Sequence, residues 1–301
     1  MQAFAPGIYP RSEALVQATR DLDRGRTTAE AVDEQVHTDQ EALIAVQQDA
    51  GLDLLTDGML AWQDLFRPLL EATDGLETGP LTRFLDTNTF YRAPHATTAT
   101  PNLSRPLAER YLPPLPGPRL VTLPSPYALS QGTGVTPQAM AEGVLKPVID
   151  SLDAELVALS EPFLGRTEGA VQELAQPLAS LGGGPKLALQ LTFCDARKAL
   201  EDGLAELPVE AIGVDFYATH LSDVPKGLGK LLLAGVVDAR SSTLEDPHEL
   251  AVFAERLRAE REVEHLALVP NGDLQFVAEP IAREKLLRLG RAKTASVQAA
   301  A

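Results

Sequence analysis

The stretch KLLLAGVVD, residues 230–238, carries no polar side chain between its charged ends. A strand with one wet face would alternate apolar and polar residues. A run without alternation predicts a strand covered on both faces, the condition of strands in parallel sheets flanked by helices. Similar short apolar runs recur at AFAPGIY (3–9), LDLLTD (52–57), RLVTLP (119–124), ELVALS (155–160), KLALQLTF (186–193), EAIGVDF (210–216) and EHLALVP (264–270). With the opening stretch they make eight candidate strands.

Between them lie segments with helical spacing. SEALVQATRDLDRG (12–25) opens on Ser12, a residue suited to capping a helix N-terminus. TTAEAVDEQVHTDQEALIAVQQDAG (27–51), TPQAMAEGVLKPVIDSLD (136–153), ARKALEDGLAEL (196–207), DPHELAVFAERLRAERE (246–262) and VAEPIAREKLLRLGR (277–291) behave alike. Eight strands with intervening helices in 301 residues predict an α/β fold, a single (β/α)8 TIM barrel. A doubly wound sheet is the alternative, because periodicity does not report closure. Residues 59–118, rich in Pro, Thr and Gly, break the alternation and are expected as a long insertion after strand 2 over the C-terminal mouth. The expected domain runs over 1–292, with a frayed tail at 293–301.

The composition narrows the partners. Forty-two acidic against 26 basic residues give a formal net charge of -16. That leaves no basic footprint for nucleic acid and no attraction to anionic lipid. No run approaches the ~20 apolar residues that span a bilayer, and no signal segment opens the chain, so the expected place is the cytoplasm. The partner expected is a small-molecule substrate.

Barrel chemistry collects at the carboxyl ends of strands. Those ends carry Arg11, Asp57, Glu161, Asp215 and Asn271, the candidate substrate-binding set. Asp57 and Glu161 serve equally well as helix caps. Glu161-Pro162 directly follows an apolar run, so the backbone must kink there. LGGGPK (181–186) leads into a strand, whereas a phosphate-binding loop leads into a helix. None of the five histidines pairs at zinc-motif spacing. Cys194, the only cysteine, could join Asp215 and His220 as an unusual metal set, against the plainer reading of a buried small residue.

Taken in order, the strand ends resemble the catalytic domain of cobalamin-independent methionine synthase, a family of the methionine synthase and uroporphyrinogen decarboxylase barrel superfamily. GIYPRSEAL (7–15) is similar to that family's Gly-Ser-Phe-Pro-Arg opening, and AGLDLLTDGML (50–60) to Gly-Leu-Asp-x-x-x-Asp-Gly-Glu. GPRLVTLPSPYALS (117–130) resembles its Gly-Pro-x-Thr strand, and LVALSEPFL (156–164) its Ile-Asp-Glu-Pro-Ala-Leu strand end. KLALQLTFCD (186–195) falls at His-x-Cys-Tyr, AIGVDF (211–216) at the Glu-bearing strand, AGVVDAR (234–240) at Gly-Val-x-Asp and LVPNGDLQ (268–275) at Asn-Pro-Asp-Cys-Gly-Leu.

The resemblance implies a methyltransferase of methionine biosynthesis. In that family a zinc held by His, Cys, Glu and Cys binds the homocysteine thiolate, which attacks a methyl donor, usually a folate. Here the four positions hold Gln190, Thr192, Asp215 and Gly272, and Ile8, Met59 and Ser160 replace amino-acid-binding residues. Pro10, Arg11, Asp57, Gly58, Glu161 and Pro162 are kept. The expectation is therefore a methionine-synthase-like chain with a degenerate zinc site. The alternatives are a metal-independent barrel enzyme on a small polar substrate and a non-catalytic ligand-binding paralogue.

Overall fold

The computed structural model describes residues 1–167 and 169–295. Seven strands form one parallel sheet in the order β1 (Gln2–Ala3), β11 (Leu266–Pro270), β10 (Leu231–Val237), β9 (Ala211–Asp215), β8 (Lys186–Leu191), β7 (Leu156–Glu161) and β6 (Leu120–Pro124). The sheet curls. Asp53 N–H donates to Ala3 O at 2.9 Å on one edge, and Leu55 N–H to Pro118 O at 2.8 Å on the other. Leu55 also makes a parallel bridge with Arg119.

Two expected strands are thus shorter than their apolar runs. Residues 52–57 contribute the single bridge at Leu55, and the strand expected over 3–9 stops at Ala3. Pro6 has no N–H for a ladder, and Gly7 turns the chain with φ at +96°. The backbone then dips across the strand ends: Gly7 N–H donates to Thr122 Oγ1 at 2.9 Å and Ile8 N–H to Asp273 Oδ1 at 3.0 Å.

Inside the curl, Phe4, Leu54, Leu120, Leu156 and Leu233 interleave with Ala158, Ala188, Ala211 and Ala267. Large side chains beside alanines fill the narrow interior, so the middle is a packed core. A larger apolar layer joins the outer faces of the strands to the helices, with Leu159, Leu189, Ile212, Leu268, Leu257 and Leu286 among its buried members.

Several helices begin where side-chain oxygens serve free N–H groups. Ser12 caps helix Glu13–Asp23, Thr28 caps Ala29–Asp49, and Asp246 caps Pro247–Arg261. Helix Glu279–Thr294 runs past the boundary expected at 292, and Lys293 there bonds to Asp53. The remainder of the 293–301 tail beyond 295 lies outside the described residues. The segment 196–207 is split into the short helix Arg197–Glu201 and a 3-10 turn at Leu204–Glu206, because Gly203 turns the chain with φ at +98°. Helices Arg67–Ala72 and Ala175–Leu181 were not expected. Among the described residues, no helix is long and apolar enough to cross a membrane.

Residues 59–118 build two small antiparallel pairs, β2 (Thr73–Asp74) with β5 (Asn102–Leu103) and β3 (Leu76–Arg83) with β4 (Phe90–Ala96). The turn of the longer hairpin reaches the carboxyl ends of the sheet strands. Its Phe84 packs on Phe163 after β7 and stacks on Phe276 after β11, with ring centroids 6.4 and 6.1 Å apart.

Candidate functional site

The carboxyl ends of the parallel strands carry a ring of buried polar residues: Asp57, Thr122, Ser160, Glu161, Gln190, Thr192, Asp215, Asn271 and Asp273. Most are already engaged by their own chain.

Glu161 ends β7 and is 0% exposed. Its Oε1 accepts from Phe163 and Leu164 N–H at 2.8 Å each, and its Oε2 from the Ser125 hydroxyl. The side chain holds the backbone through the kink that Pro162 begins. Burial pushes its pKa up against those hydrogen bonds. Asp57 does similar work. Its Oδ1 accepts from Met59 N–H at 3.2 Å, where φ is +51°, and burial pushes the carboxyl up to about 6 although Arg119 pulls it down. The Arg11 guanidinium is spent on main-chain oxygens, with Nε donating to Leu60 O at 3.0 Å and Nη2 to Trp62 O.

Asp215 and Asn271 form a pair across the strand ends. Asn271 Nδ2 donates to Asp215 Oδ1 at 3.2 Å, and Tyr217 N–H donates to the same oxygen at 2.9 Å. Asn271 Oδ1 in turn accepts from Ala239 N–H. Asp215 Oδ2 is buried without a hydrogen-bond partner. Burial pushes the Asp215 carboxyl up to about 6, opposed by the two hydrogen bonds and by Arg240.

Gln190 Nε2 donates to Pro270 O at 3.0 Å. Gly272 faces the ring of Phe193: a Cβ added there would lie 2.4 Å from Phe193 Cζ. Phe193 holds a left-handed backbone with φ at +55°, unusual for a bulky residue. Its ring meets Phe276 edge-on at 5.4 Å, and the Arg240 guanidinium lies 4.7 Å from its centroid. Arg240 also pairs with Asp86 in the hairpin turn at 3.3 Å, and Arg166 Nη2 donates to Phe193 O at 3.0 Å. Sequence reasoning passed over Phe193, Arg240 and Asp273. The available signal was a large aromatic beside Thr192 in a chain with glycine at position 272.

The trio Cys194, Asp215 and His220 does not come together. His220 is exposed and its Nδ1 accepts from Ser222 N–H at 3.2 Å, capping the turn that follows. Cys194 is buried against Gly165, and burial with the nearby Asp215 and Glu161 pushes its thiol up to about 12. Among the described residues, no group of three His, Cys, Asp or Glu side chains is placed to hold a metal ion.

A cavity of about 20 Å³, lined by Ile8, Phe66, Phe84, Tyr91 and Asp273 among others, holds about one water.

No family model matches the chain. Among curated proteins it is 31% identical over 214 residues to the 5-methyltetrahydropteroyltriglutamate–homocysteine methyltransferase of Mycobacterium tuberculosis, covering 62% of this chain and 27% of that protein. The Mycolicibacterium paratuberculosis protein of the same name is 29% identical over 203 residues. The chain is similar in sequence to the cobalamin-independent methionine synthases over these residues. This methionine-synthase-like chain spans about a quarter of the length of the curated relatives it matches. Its fold is that of a Listeria monocytogenes protein assigned as a vitamin-B12-independent methionine synthase, with TM-score 0.75, 14% identity and 98% of each chain covered. A B12-independent methionine synthase from Shewanella, in complex with selenomethionine, aligns with TM-score 0.66 and 15% identity over 89% of this chain and 90% of that one.

The four positions that the resemblance equates with ligands supply an amide bonded to Pro270, a hydroxyl, one carboxylate, and a glycine with an aromatic ring against it. Zinc at such sites takes imidazole and thiolate ligands.

Proposed function

We propose that this chain is a methionine-synthase-like methyltransferase homologue that holds a small-molecule substrate at the strand ends and works without zinc. We read the curled sheet, with residues 53–55 bonded to both of its edges, as the complete (β/α)8 barrel. On this reading the parallel strands and their helices make one domain, and 59–118 is the insertion that covers its mouth. Methyl transfer from a folate to a homocysteine-type thiol is the reaction in the curated relatives' name, and it is the reaction class proposed here.

The observation that carries this reading is the buried polar ring at the carboxyl ends of the parallel strands, in a chain 31% identical over 214 residues to those methyltransferases. Within the ring, Asp215 is the residue with capacity to spare. Asp57, Glu161 and Arg11 bond to the backbone at their own strand ends, and Asn271 donates to the Asp215 carboxylate.

A second reading, a metal-independent site for a small polar substrate with no thiol chemistry, is favoured by the Cys194 thiol. A neighbourhood that pushes a thiol up to about 12 opposes any thiolate nearby. Methyl transfer from methyltetrahydrofolate to homocysteine, measured with and without chelator, separates the two. The first reading expects turnover that chelator leaves unchanged and that Asp215→Asn lowers at least about tenfold. Absence of turnover leaves the second.

A further inference from the structure

We propose that Phe193 is a movable wedge over a latent subsite in which Asp215 Oδ2 receives the ammonium group of a small organic cation. This rests on the reading of the strand ends as the substrate site.

Three observations meet at this point. The first is an acceptor without a donor: Asp215 is 1% exposed, its Oδ1 takes two N–H groups, and its Oδ2 takes none. A buried carboxylate oxygen left unpaired is costly and calls for a partner. The second is the wedge. The Phe193 ring fits because Gly272 has no side chain, and its backbone sits in a region that bulky residues avoid. The third is how the wedge is held. Arg240 caps the ring from the solvent side and is tied to Asp86, which is itself largely exposed. Contacts of this exposed kind are individually weak. Arg240 also acts on Asp215, and Asn271, bonded to Asp215, adjoins Gly272 under the ring. The wedge and the free oxygen therefore share one neighbourhood.

The chemistry selects the occupant. Asp215, with Asp238 nearby, disfavours added negative charge, and a lone carboxylate with an amide is a poor metal site. A ring-sized space bordered by Phe276 and Gly272, next in the chain to the Asn271 that bonds Asp215, suits an alkylammonium or arylalkylammonium.

Benzylammonium and benzyl alcohol, nearly equal in shape and different in charge, are the probes. Calorimetric titration of Phe193→Ala is expected to give benzylammonium at least about tenfold tighter binding than in the unaltered protein, because the wedge no longer has to move. It is also expected to exceed benzyl alcohol at least about tenfold, a preference that Asp215→Asn removes in the same background. Equal binding of the two probes, or a preference that survives Asp215→Asn, overturns the proposal. If circular dichroism shows Phe193→Ala unfolded, the same comparisons in Phe193→Leu decide it by the same criteria. Methyl transfer to homocysteine without an ammonium preference would sink this subsite and spare the proposed function. An ammonium preference without turnover would do the reverse.

Discussion

The ring of Phe193 lies against the main chain of Gly272, so closely that a Cβ at Gly272 would stand 2.4, 2.6 and 2.8 Å from three of its carbons. One residue thus fills the space that the other leaves. Gly272→Ala is expected to lose about 1–3 kcal/mol of stability through overpacking. Part of that loss should return in the double variant Gly272→Ala/Phe193→Leu, because contacting residues are not additive. Urea unfolding midpoints measure both, and strictly additive losses would contradict the contact.

Glu161 is a cap before it is a ligand. Glu161→Ala strands two buried N–H groups and the Ser125 hydroxyl, so a loss of about 2–5 kcal/mol is expected in denaturant unfolding. A Glu161→Ala protein of unchanged stability but altered ligand binding would move the residue into the substrate set.

Arg11 ties the start of the 59–118 segment to the strand ends through Leu60 O and Trp62 O. Arg11→Ala is expected to speed limited proteolysis within 59–118 while the sheet stays folded, and Arg11→Lys to recover part of the protection. Cleavage at the unaltered rate would show that those two bonds do not hold the segment.

Stability should fall as pH rises through the acid range. Asp57, Asp215 and Asp273 are each pushed by burial from the ordinary carboxylate range up to about 6, and Glu161 is shifted the same way. Between pH ~4 and about 6 the folded chain holds these protons more tightly than the unfolded chain, whose carboxyls titrate near 3.9–4.3. The stabilisation is therefore full below the unfolded values and lost as pH rises through 6. Glu30 and Glu260, shifted downward, are fully exposed and add little. Melting at pH 5 is expected above melting at pH 7, with a shallower slope in Asp215→Asn. A melting temperature that climbs over this interval would refute the assignment.

Much of the fold was legible because burial on both faces leaves its mark in composition. The runs at 119–124, 155–160, 186–193, 210–216, 230–238 and 264–270 each hold a strand of the curled sheet, within a few residues at their ends. The first two runs carried the same apolar signal but hold only Gln2–Ala3 and one bridge at Leu55, because Pro6, Gly7 and the turn to Asp57 bend the backbone away from the ladder. The hairpin over 76–96 was not legible, since its faces are mostly exposed and carry little apolar pattern.

The strand-end residues were legible as positions and not as roles. Nothing local in the sequence says that Glu161 and Arg11 spend their polar atoms on main chain, because the partners come from the next loop or from 50 residues away. Phe193 was harder still. Its meaning depends on Gly272 and Arg240, which only the curl of the sheet brings beside it.

The central claim is that these strand ends work without zinc, and the metal content of the purified protein tests it most directly. After expression with added zinc and removal of unbound ion, far less than one zinc per chain is expected, unchanged by Cys194→Ala or Asp215→Ala. One zinc per chain, lost in either variant, would contradict it.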